Sequence, residues 1–296
     1  MTRSSLTLRR EWIHGWLLLT PALVLLFAFT HLPAVTTIWD SFFSTPRGRR
    51  EAKFVGLRNY ETLLADDTFW QVLSNSLWYA AVTIPVSVGL ALLMALWVDG
   101  RLSGRGFVRL AYFAPTVLPL IAVANIWMFF YTPGFGLIDQ IRGAFGLPEV
   151  NWLGNPDLAL GSVMVVAIWK EAGFFMIFYL AALQSIPPQL REAAAIEGAS
   201  RWTFFRRVTF PLLMPTTLFV SVNAVINSFR MVDHVFVMTE GGPDNASSLL
   251  LFYIYETAFK YWDTAYASTL TVVLLVLLSA LALGQFFLLD KRVHYR

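Results

Sequence analysis

Residues 77–98 read LWYAAVTIPVSVGLALLMALWV and contain no charged side chain. A transmembrane helix needs about 20 mainly apolar residues, and this stretch is long enough. Residues 110–131, LAYFAPTVLPLIAVANIWMFFY, form a second uncharged stretch of the same kind. Both stretches predict helices that cross a lipid bilayer.

The composition of the whole chain supports this prediction. Of its 296 residues, 57% are hydrophobic and 14% are charged, whereas soluble domains have about 45–50% apolar and about 25% charged residues. The chain has no cysteine, which excludes disulfides and cysteine-based metal or thiol chemistry. Its net charge of +3 fits basic loops on one side of a membrane, so we expect no nucleic-acid partner.

Six segments have the length and composition of transmembrane helices, and we predict an all-α integral membrane fold with a single domain, 1–296. The helices cover about 13–38, 70–98, 107–131, 158–182, 212–238 and 265–289. No A-x-A cleavage site follows the first segment, so we interpret it as a retained helix and not a signal peptide. Pro85, Pro115 and Pro119 are predicted to kink their helices without ending them, because neighbouring helices satisfy the freed carbonyls.

The basic residues predict the orientation of the chain in the membrane. With both termini in the cytoplasm, the inner segments hold 13 Lys and Arg residues and the outer loops hold 7. This excess follows the positive-inside rule. The outer loop 39–69 runs against it, since it contains five of those seven. The count still favours cytoplasmic N and C termini.

The loop 185–211, between the fourth and fifth segments, contains the sequence EAAAIEGASRWTFFRRVTFP at 192–211. Pro188 can begin a helix, Gly198 suits a left-handed residue after its end, and Ser200 can cap a second helix, RWTFFRRVT. One interpretation is an amphipathic hairpin that lies in the headgroups, with Trp202 as an anchor. The other is a projection that docks into a cytoplasmic partner, because its alanines and glycine leave the backbone bare.

The loop resembles the EAA motif of binding-protein-dependent ABC importer permeases. The match is Glu192-Ala193-Ala194, three residues, Gly198, nine residues, then Val208-x-Phe210-Pro211; the motif usually ends Ile-x-Leu-Pro. LQSIPPQLREAAAIEGA at 183–199, GGP at 241–243 and FVGLRNY at 54–60 resemble the sugar and glycerol-3-phosphate branch. The resemblance implies that the loop couples to an ATPase through Glu192, Ala193, Ala194, Gly198, Ala199, Arg201, Phe204, Phe205 and Pro211.

The resemblance also implies the type I ABC importer permease fold and a set of partners. These are a second, homologous permease subunit, two copies of an ABC ATPase that use ATP and Mg, and an extracytoplasmic substrate-binding protein, all at a bacterial cytoplasmic membrane. The sequence agrees that ATP binds elsewhere, because a P-loop needs Gly-Lys-Ser/Thr and no lysine follows a glycine. We therefore expect no enzyme activity, cofactor or metal site in this chain; His31 and His234 each stand alone in an apolar segment.

Polar side chains at membrane depth are costly and usually face a cavity, so they are candidates for the solute pathway. Positions 223, 227 and 230 are spaced to share one face of a helix. In the maltose importers that the sequence resembles, the substrate is held by the two helices that correspond to those just before and just after the 185–211 loop. The alternative is that these groups only join helices to each other. The candidate residues are Asn125, Lys170, Glu171, Asn223, Asn227, Ser228 and Arg230.

The sequence leaves the solute open among a sugar, a sugar derivative and a glycerol-3-phosphate-like compound. The Trp169-Lys170 pair resembles one that is common across sugar permeases. The presence of Lys170 therefore does not establish that the solute is anionic. The alternative function is an ion-coupled secondary transporter of a small polar solute, which would need paired carboxylates or two repeated halves. A membrane-embedded enzyme would need a constellation of His or carboxylates, and the sequence shows neither pattern.

Overall fold

The computed structural model describes residues 5–46, 48, 51–100 and 104–290. Within these ranges the regular structure is helical, apart from one antiparallel bridge between Phe43 and Phe54. The α-helices are α1 (Ser5–Leu26), α2 (Leu32–Asp40), α3 (Arg58–Leu64), α4 (Asp67–Asp99), α5 (Arg105–Val117), α6 (Leu120–Phe130), α7 (Leu137–Ala144), α8 (Pro156–Gln184), α9 (Pro188–Ile196), α10 (Arg201–Phe204), α11 (Phe210–Arg230), α12 (Asp233–Met238), α13 (Leu250–Tyr255) and α14 (Thr264–Asp290). Three π-helical segments, Phe27–His31, Phe205–Thr209 and Glu256–Lys260, complete them.

Five helical segments of the described chain are long and apolar enough to cross a membrane. They are Trp12–Asp40, Asp67–Asp99, Pro156–Gln184, Arg201–Met238 and Thr264–Gln285. The pair α5 and α6 makes a sixth span if the two helices are counted together. The predicted six spans thus correspond to five helical segments and one bent pair.

The third span is not the kinked helix that the sequence predicted. The bend between α5 and α6 is 103°, and Leu118 and Pro119 are both extended, with ψ of 139° each. Pro119 disfavours the helical conformation in the residue before it and has no N–H to donate, so it ends α5. The prediction for Pro119 was wrong, whereas Pro85 and Pro115 do lie inside helices.

The fifth predicted helix, 212–238, is also divided. α11 ends at Arg230, Met231 is extended, and α12 begins at Asp233. Asp233 and His234 therefore do not continue the helix that carries Asn227. By contrast, Lys170 and Glu171 interrupt only the apolar pattern of the fourth segment, because α8 runs unbroken through them.

The described residues cluster into two compact units. One comprises the described residues within 1–65 with Thr257–Val273, and the other comprises the described residues within 66–256 and 274–296. The second unit has α8 at its centre, where Phe175, Met176 and Tyr179 are fully buried and pack against α4 and α11. The helices approach closely, since a Cβ added to Gly173 would overlap the carbonyl oxygen of Tyr112 in α5.

In the first unit, the FVGLRNY motif folds the segment that follows α2. The side-chain amide of Asn59 donates to the carbonyls of Ser41 and Phe43, at 2.8 Å each, and the hydroxyls of Ser41 and Tyr60 are 2.8 Å apart. Gly56 takes φ +60° in the turn before α3. This motif, noticed for its resemblance, therefore has a structural role.

The GGP motif lies in a tightly bonded loop of the second unit. Gly241 has φ +79°, and the hydroxyl of Ser247 donates to the Gly242 carbonyl at 2.6 Å. The amide of Asn75, near the start of α4, donates to the carbonyls of Asn245 (2.8 Å) and Ser248 (3.1 Å). These bonds fix the loop to the first turns of α4.

Candidate functional site

The turn of the predicted coupling loop is built around Gly198. This residue has φ +69°, directly after α9. Its N–H donates to the Ala195 carbonyl at 3.1 Å, and the N–H of Ala199 donates to the Ala194 carbonyl at 2.9 Å. This pair of bonds is a Schellman motif, which requires a left-handed residue at the position of Gly198. The predicted turn is confirmed.

The second helix of the loop is capped as predicted, but it is not a separate helix. The Ser200 hydroxyl accepts from the N–H of Thr203 at 3.1 Å, which satisfies one of the unpaired donors at a helix start. From Arg201 the helical backbone continues through the π-helical turns Phe205–Thr209 into α11. Pro211 therefore lies in the first turn of α11, and the fifth span begins inside the loop.

The loop presents a bare surface on its outer side. Glu192, Ala193, Gly198, Arg201 and Pro211 are exposed, whereas Ala194, Ala199, Phe204 and Phe205 are half-buried. Ile196 is 88% exposed, although a large aliphatic side chain gains by leaving water. The structure thus places the predicted coupling residues along α9, the turn at Gly198 and the helix that follows, with Ala193 and Gly198 exposed.

A cavity of about 690 Å³ lies between this loop and the adjacent ends of α4 and α8. Its lining includes Leu96, Asp99, Leu183, Ala194, Phe204 and Phe205. Arg191 reaches Asp99 across it, with 3.8 Å between Nη2 and Oδ2. The Arg191 side chain is largely exposed, so the ion pair contributes no more than about 1 kcal/mol. Sequence reasoning missed Asp99, since nothing in its neighbourhood marks it as a partner of the loop.

Lys170 is buried and binds backbone carbonyl groups. It is 8% exposed, and its ammonium donates to the carbonyls of Pro115 (3.0 Å), Thr116 (3.3 Å) and Leu118 (2.6 Å). These carbonyls lie in the last turn of α5 and just after it, where the break and the missing N–H of Pro119 leave them without helical partners. An ammonium has three donors, and all three are used, so Lys170 caps the broken third span.

Glu171 and Asn227 join two of the candidate helices. The Asn227 amide, on α11, donates to Glu171 Oε1 on α8 at 2.9 Å, and Glu171 is 9% exposed. This bond satisfies part of a buried carboxylate, which is costly to leave unpaired. The sequence predicted both positions but not their contact.

The remaining candidates do not meet at one point. The Asn223 amide donates to the Phe219 carbonyl one turn earlier, and Asn125 donates in the same way to Ile121, each at 2.8 Å. The hydroxyl of Ser228 donates to Val225 at 2.9 Å, and Arg230 is exposed at the end of α11. Their assignment to a solute pathway stays a prediction.

Tyr79 and His234 form a polar pair that sequence reasoning missed. The Tyr79 hydroxyl lies 2.9 Å from His234 Nε2; the tyrosine is 1% exposed and the histidine is fully buried. The pair joins α4 to α12, and His234 Nδ1 has no hydrogen-bond partner in the structure. No spacing rule connects residues 155 positions apart, although an isolated histidine in an apolar segment is a signal that a partner exists. In the described part of the chain, no three His, Asp or Glu side chains are grouped to hold a metal ion.

Comparisons with known proteins agree with the EAA resemblance. The family described as "Binding-protein-dependent transport system inner membrane component" matches residues 87–295. The chain is 35% identical over 270 residues to the trehalose/maltose transport system permease protein MalF of Thermococcus litoralis, covering 90% of this chain and 91% of the relative. It is 32% identical over 282 residues to the sn-glycerol-3-phosphate transport system permease protein UgpA of Agrobacterium fabrum, covering 95% and 96%.

A solved structure supports the fold. A chain of the bacterial alginate ABC transporter, in complex with an alginate pentasaccharide-bound periplasmic protein, matches with a TM-score of 0.84 over 96% of each chain. At 22% sequence identity this match concerns the fold alone. It confirms the predicted type I permease fold, and the matching sequences favour a permease over an ion-coupled secondary transporter.

Proposed function

Because this chain belongs to the binding-protein-dependent transport system inner membrane components and is a sugar-branch permease subunit of an ABC importer, we propose that it forms half of a solute pathway. A second, homologous permease subunit supplies the other half. The solute is a sugar, a sugar derivative or a glycerol-3-phosphate-like compound. The names of the relatives support this class, as do the neutral amides of Asn125, Asn223 and Asn227, which can bond to hydroxyl groups.

The resemblance of the loop to the EAA motif supports the partners of this proposal, and the sequence, in which no lysine follows a glycine, agrees with them. Two copies of an ABC ATPase bind ATP and Mg at the cytoplasmic face, and this chain itself is not an enzyme. An extracytoplasmic binding protein delivers the solute to the opposite face. Closure of the ATPases moves the loop, and the loop moves the helices that line the pathway.

The observation that carries this proposal is the Schellman turn at Gly198, which exposes the small residues of α9. In the variant Gly198→Val, a β-branched residue must take the left-handed conformation, which costs roughly 1–2 kcal/mol even for an ordinary side chain. We expect the variant to insert and assemble, but to lose uptake or to hydrolyse ATP without uptake. ATPase activity and solute uptake of the reconstituted complex measure this.

Gly146→Val is the matched control, because Gly146 has φ +70° and, like Gly198, has no atom within 4 Å of an added Cβ. It lies in the loop between α7 and α8, on the other side of the membrane from α9. Normal solute-stimulated ATPase activity and uptake in Gly198→Val would contradict the coupling role, and equal losses in the two variants would attribute the effect to backbone strain.

The location proposed is a bacterial cytoplasmic membrane, with both termini in the cytoplasm. A reporter inserted after Gly198 should then be cytoplasmic, and one inserted after Asp244 should be external. Paired reporters that are active on opposite sides of the membrane measure this. A cytoplasmic reporter after Asp244 would contradict both the orientation and the count of six spans.

A further inference from the structure

The segment between the third and fourth spans is a small, well-bonded structure on the side of the membrane opposite the coupling loop. The two loops are on opposite sides because the unbroken helix α8 separates them. Asp139 Oδ2 accepts from the N–H groups of Gly134 and Val150 at 3.1 Å each, and Asp139 Oδ1 accepts from the Trp152 indole at 3.0 Å. These bonds, with that from Gly134 foremost, lower the pKa of Asp139. α7 is therefore held firmly from both ends of the segment.

One side of α7 faces the protein. Ile138 packs against the cluster that includes Val123 of α6 and Tyr131, which follows the end of α6, and Asp139 on the same side is 5% exposed. The Arg142 guanidinium lies 5.5 Å from the ring centroid of Trp152. These contacts fix the rotation of the helix about its axis.

A second side of α7 is apolar and uncovered. Leu137, Ile141 and Phe145 follow one another at intervals of four residues, so they share one face. Phe135 and Leu147, in the turns before and after the helix, add two more large side chains. All five are exposed, and Phe135 and Phe145 are 79% exposed each. The third side of α7 carries Gln140 and Gly143, which are exposed as well.

We infer that α7 lies in the interface of the outer leaflet, with the face formed by Phe135, Leu137, Ile141, Phe145 and Leu147 inserted among the lipids. A short helix with separate apolar, polar and protein-facing sides is the arrangement expected at the boundary between acyl chains and water. The inference concerns only the lipid contact of this chain and holds whatever the solute is.

Two features favour lipid as the partner of this face. The first is its position directly after the membrane span, since α6 ends at Phe130 and α7 begins at Leu137. The second is the pair of half-buried tryptophans beside it, Trp127 and Trp152, whose ring centroids lie 5.6 Å and 6.0 Å from that of the buried Tyr131. Trp and Tyr are enriched where membrane spans meet the interface.

The chemistry of the face argues against the binding protein as its partner. A binding protein leaves after each delivery, and the face would then return to water. Surfaces that alternate between partner and water are about as apolar as ordinary protein surface, whereas these five side chains include no polar or charged group. Lipid covers such a face permanently.

The natural absence of cysteine in this chain makes a direct test straightforward. Ile141→Cys and Phe145→Cys place a fluorescent label on the apolar face, and Gly143→Cys is the matched control on the exposed third side, where no atom lies within 4 Å of an added Cβ. The labelled complexes are reconstituted in bilayers that contain phospholipids with a nitroxide near the top of the acyl chain. The cysteine-free chain, treated in the same way, gives the labelling background of the partner subunits.

We expect the lipid nitroxide to quench the labels at 141 and 145 severalfold more than the label at 143. Iodide in the buffer should show the reverse order. Strong quenching of 141 and 145 by iodide would overturn the inference, because the face would then be in water. Protection of both labels from both quenchers would also overturn it, since another protein subunit would then cover the face. Solute uptake by each labelled complex shows that the complex is folded. The lipid contact of α7 can be contradicted by this test without contradicting the ATPase coupling of the loop.

Discussion

The first and fourth spans have the same length and a similar composition, yet they are buried to very different extents. Trp12–Asp40 and Pro156–Gln184 each have 29 residues, but 0% of the most apolar stretch of the first is buried within the chain, against 67% for the fourth. Trp12, Leu17, Leu18 and Phe29 are all more than half exposed. Apolar character therefore predicts that both cross a membrane, but not which one lies inside the protein.

The difference between the two spans lies in their small and polar residues. α8 has Lys170 and Glu171 in its middle and Gly173 at its contact with α5, with Ala172 between Glu171 and Gly173. Small residues let helices approach closely in a membrane, and polar ones bond across helices. In the first span the large aliphatic and aromatic side chains are exposed, which suits contact with lipid.

The largest effect is expected from Lys170→Met, which removes the cap of α5. Three carbonyls then lose their donor, and each unsatisfied buried group costs about 1–3 kcal/mol, so the complex should unfold or fail to assemble. The matched change in the first span, Thr20→Met, should have almost no effect, because the Thr20 hydroxyl bonds only to the Trp16 carbonyl one turn earlier. The yield and melting temperature of the purified complex measure both. A stable Lys170→Met complex without uptake would instead assign Lys170 to the solute.

A smaller loss is expected from Gly173→Ala, because the added methyl group overlaps the Tyr112 carbonyl of α5. Overpacking of this kind costs about 1–3 kcal/mol, and it should lower the melting temperature. Gly15→Ala is the control in the first span, where an added Cβ meets nothing within 4 Å. There the gain in helix propensity of up to about 1 kcal/mol should leave stability equal or higher. If the two variants melt alike, α8 and the first span do not differ in packing.

The smallest effect on stability is expected from Asn227→Leu. Interhelical hydrogen bonds in membranes contribute on the order of 0.6 kcal/mol and up to about 1.7, so the loss of the bond to Glu171 should lower the melting temperature slightly. Asn223→Leu is the control, because the Asn223 amide bonds within its own helix. Uptake, yield and melting temperature are measured together for both variants.

The two asparagine variants also decide between a pathway and a joint between helices. If these residues line the solute pathway, uptake is lost in both variants while the complexes stay fully stable and keep basal ATPase activity. If Asn227 only joins α8 to α11, its variant loses stability and transport in proportion, and Asn223→Leu changes neither.

Much of the fold and of the coupling loop could be predicted from local sequence. Runs of apolar residues predict the spans because a bilayer demands them, and Gly198 and Ser200 predict the turn and the cap because few residues suit those backbone positions. These signals lie within a few residues of the structure that they specify. For this reason the predicted left-handed residue at Gly198 and the predicted cap at Ser200 agree with the structure.

The parts that sequence reasoning missed depend on residues that are far apart in the chain. Pro119 looks the same in a kinked helix and in a broken one; the break becomes stable because Lys170, 52 residues away from Leu118, binds the released carbonyls. The contact of Glu171 with Asn227 spans 56 residues. A single polar residue shows that a partner must exist, but its identity depends on how the helices pack.

The helical backbone that begins at Arg201 continues to Arg230 without interruption. At 1.5 Å for each residue, it is about 45 Å long, and it joins the coupling loop to Asn223 and Asn227 without a flexible linker. A continuous helix moves as a unit, so a rotation of the loop about the helix axis turns the two asparagines with it. At its far end the extended residue Met231 separates it from α12, and the bond from Asn227 to Glu171 connects it to α8. In the proposed importer, the connection between the loop and the two asparagines is therefore one continuous helix.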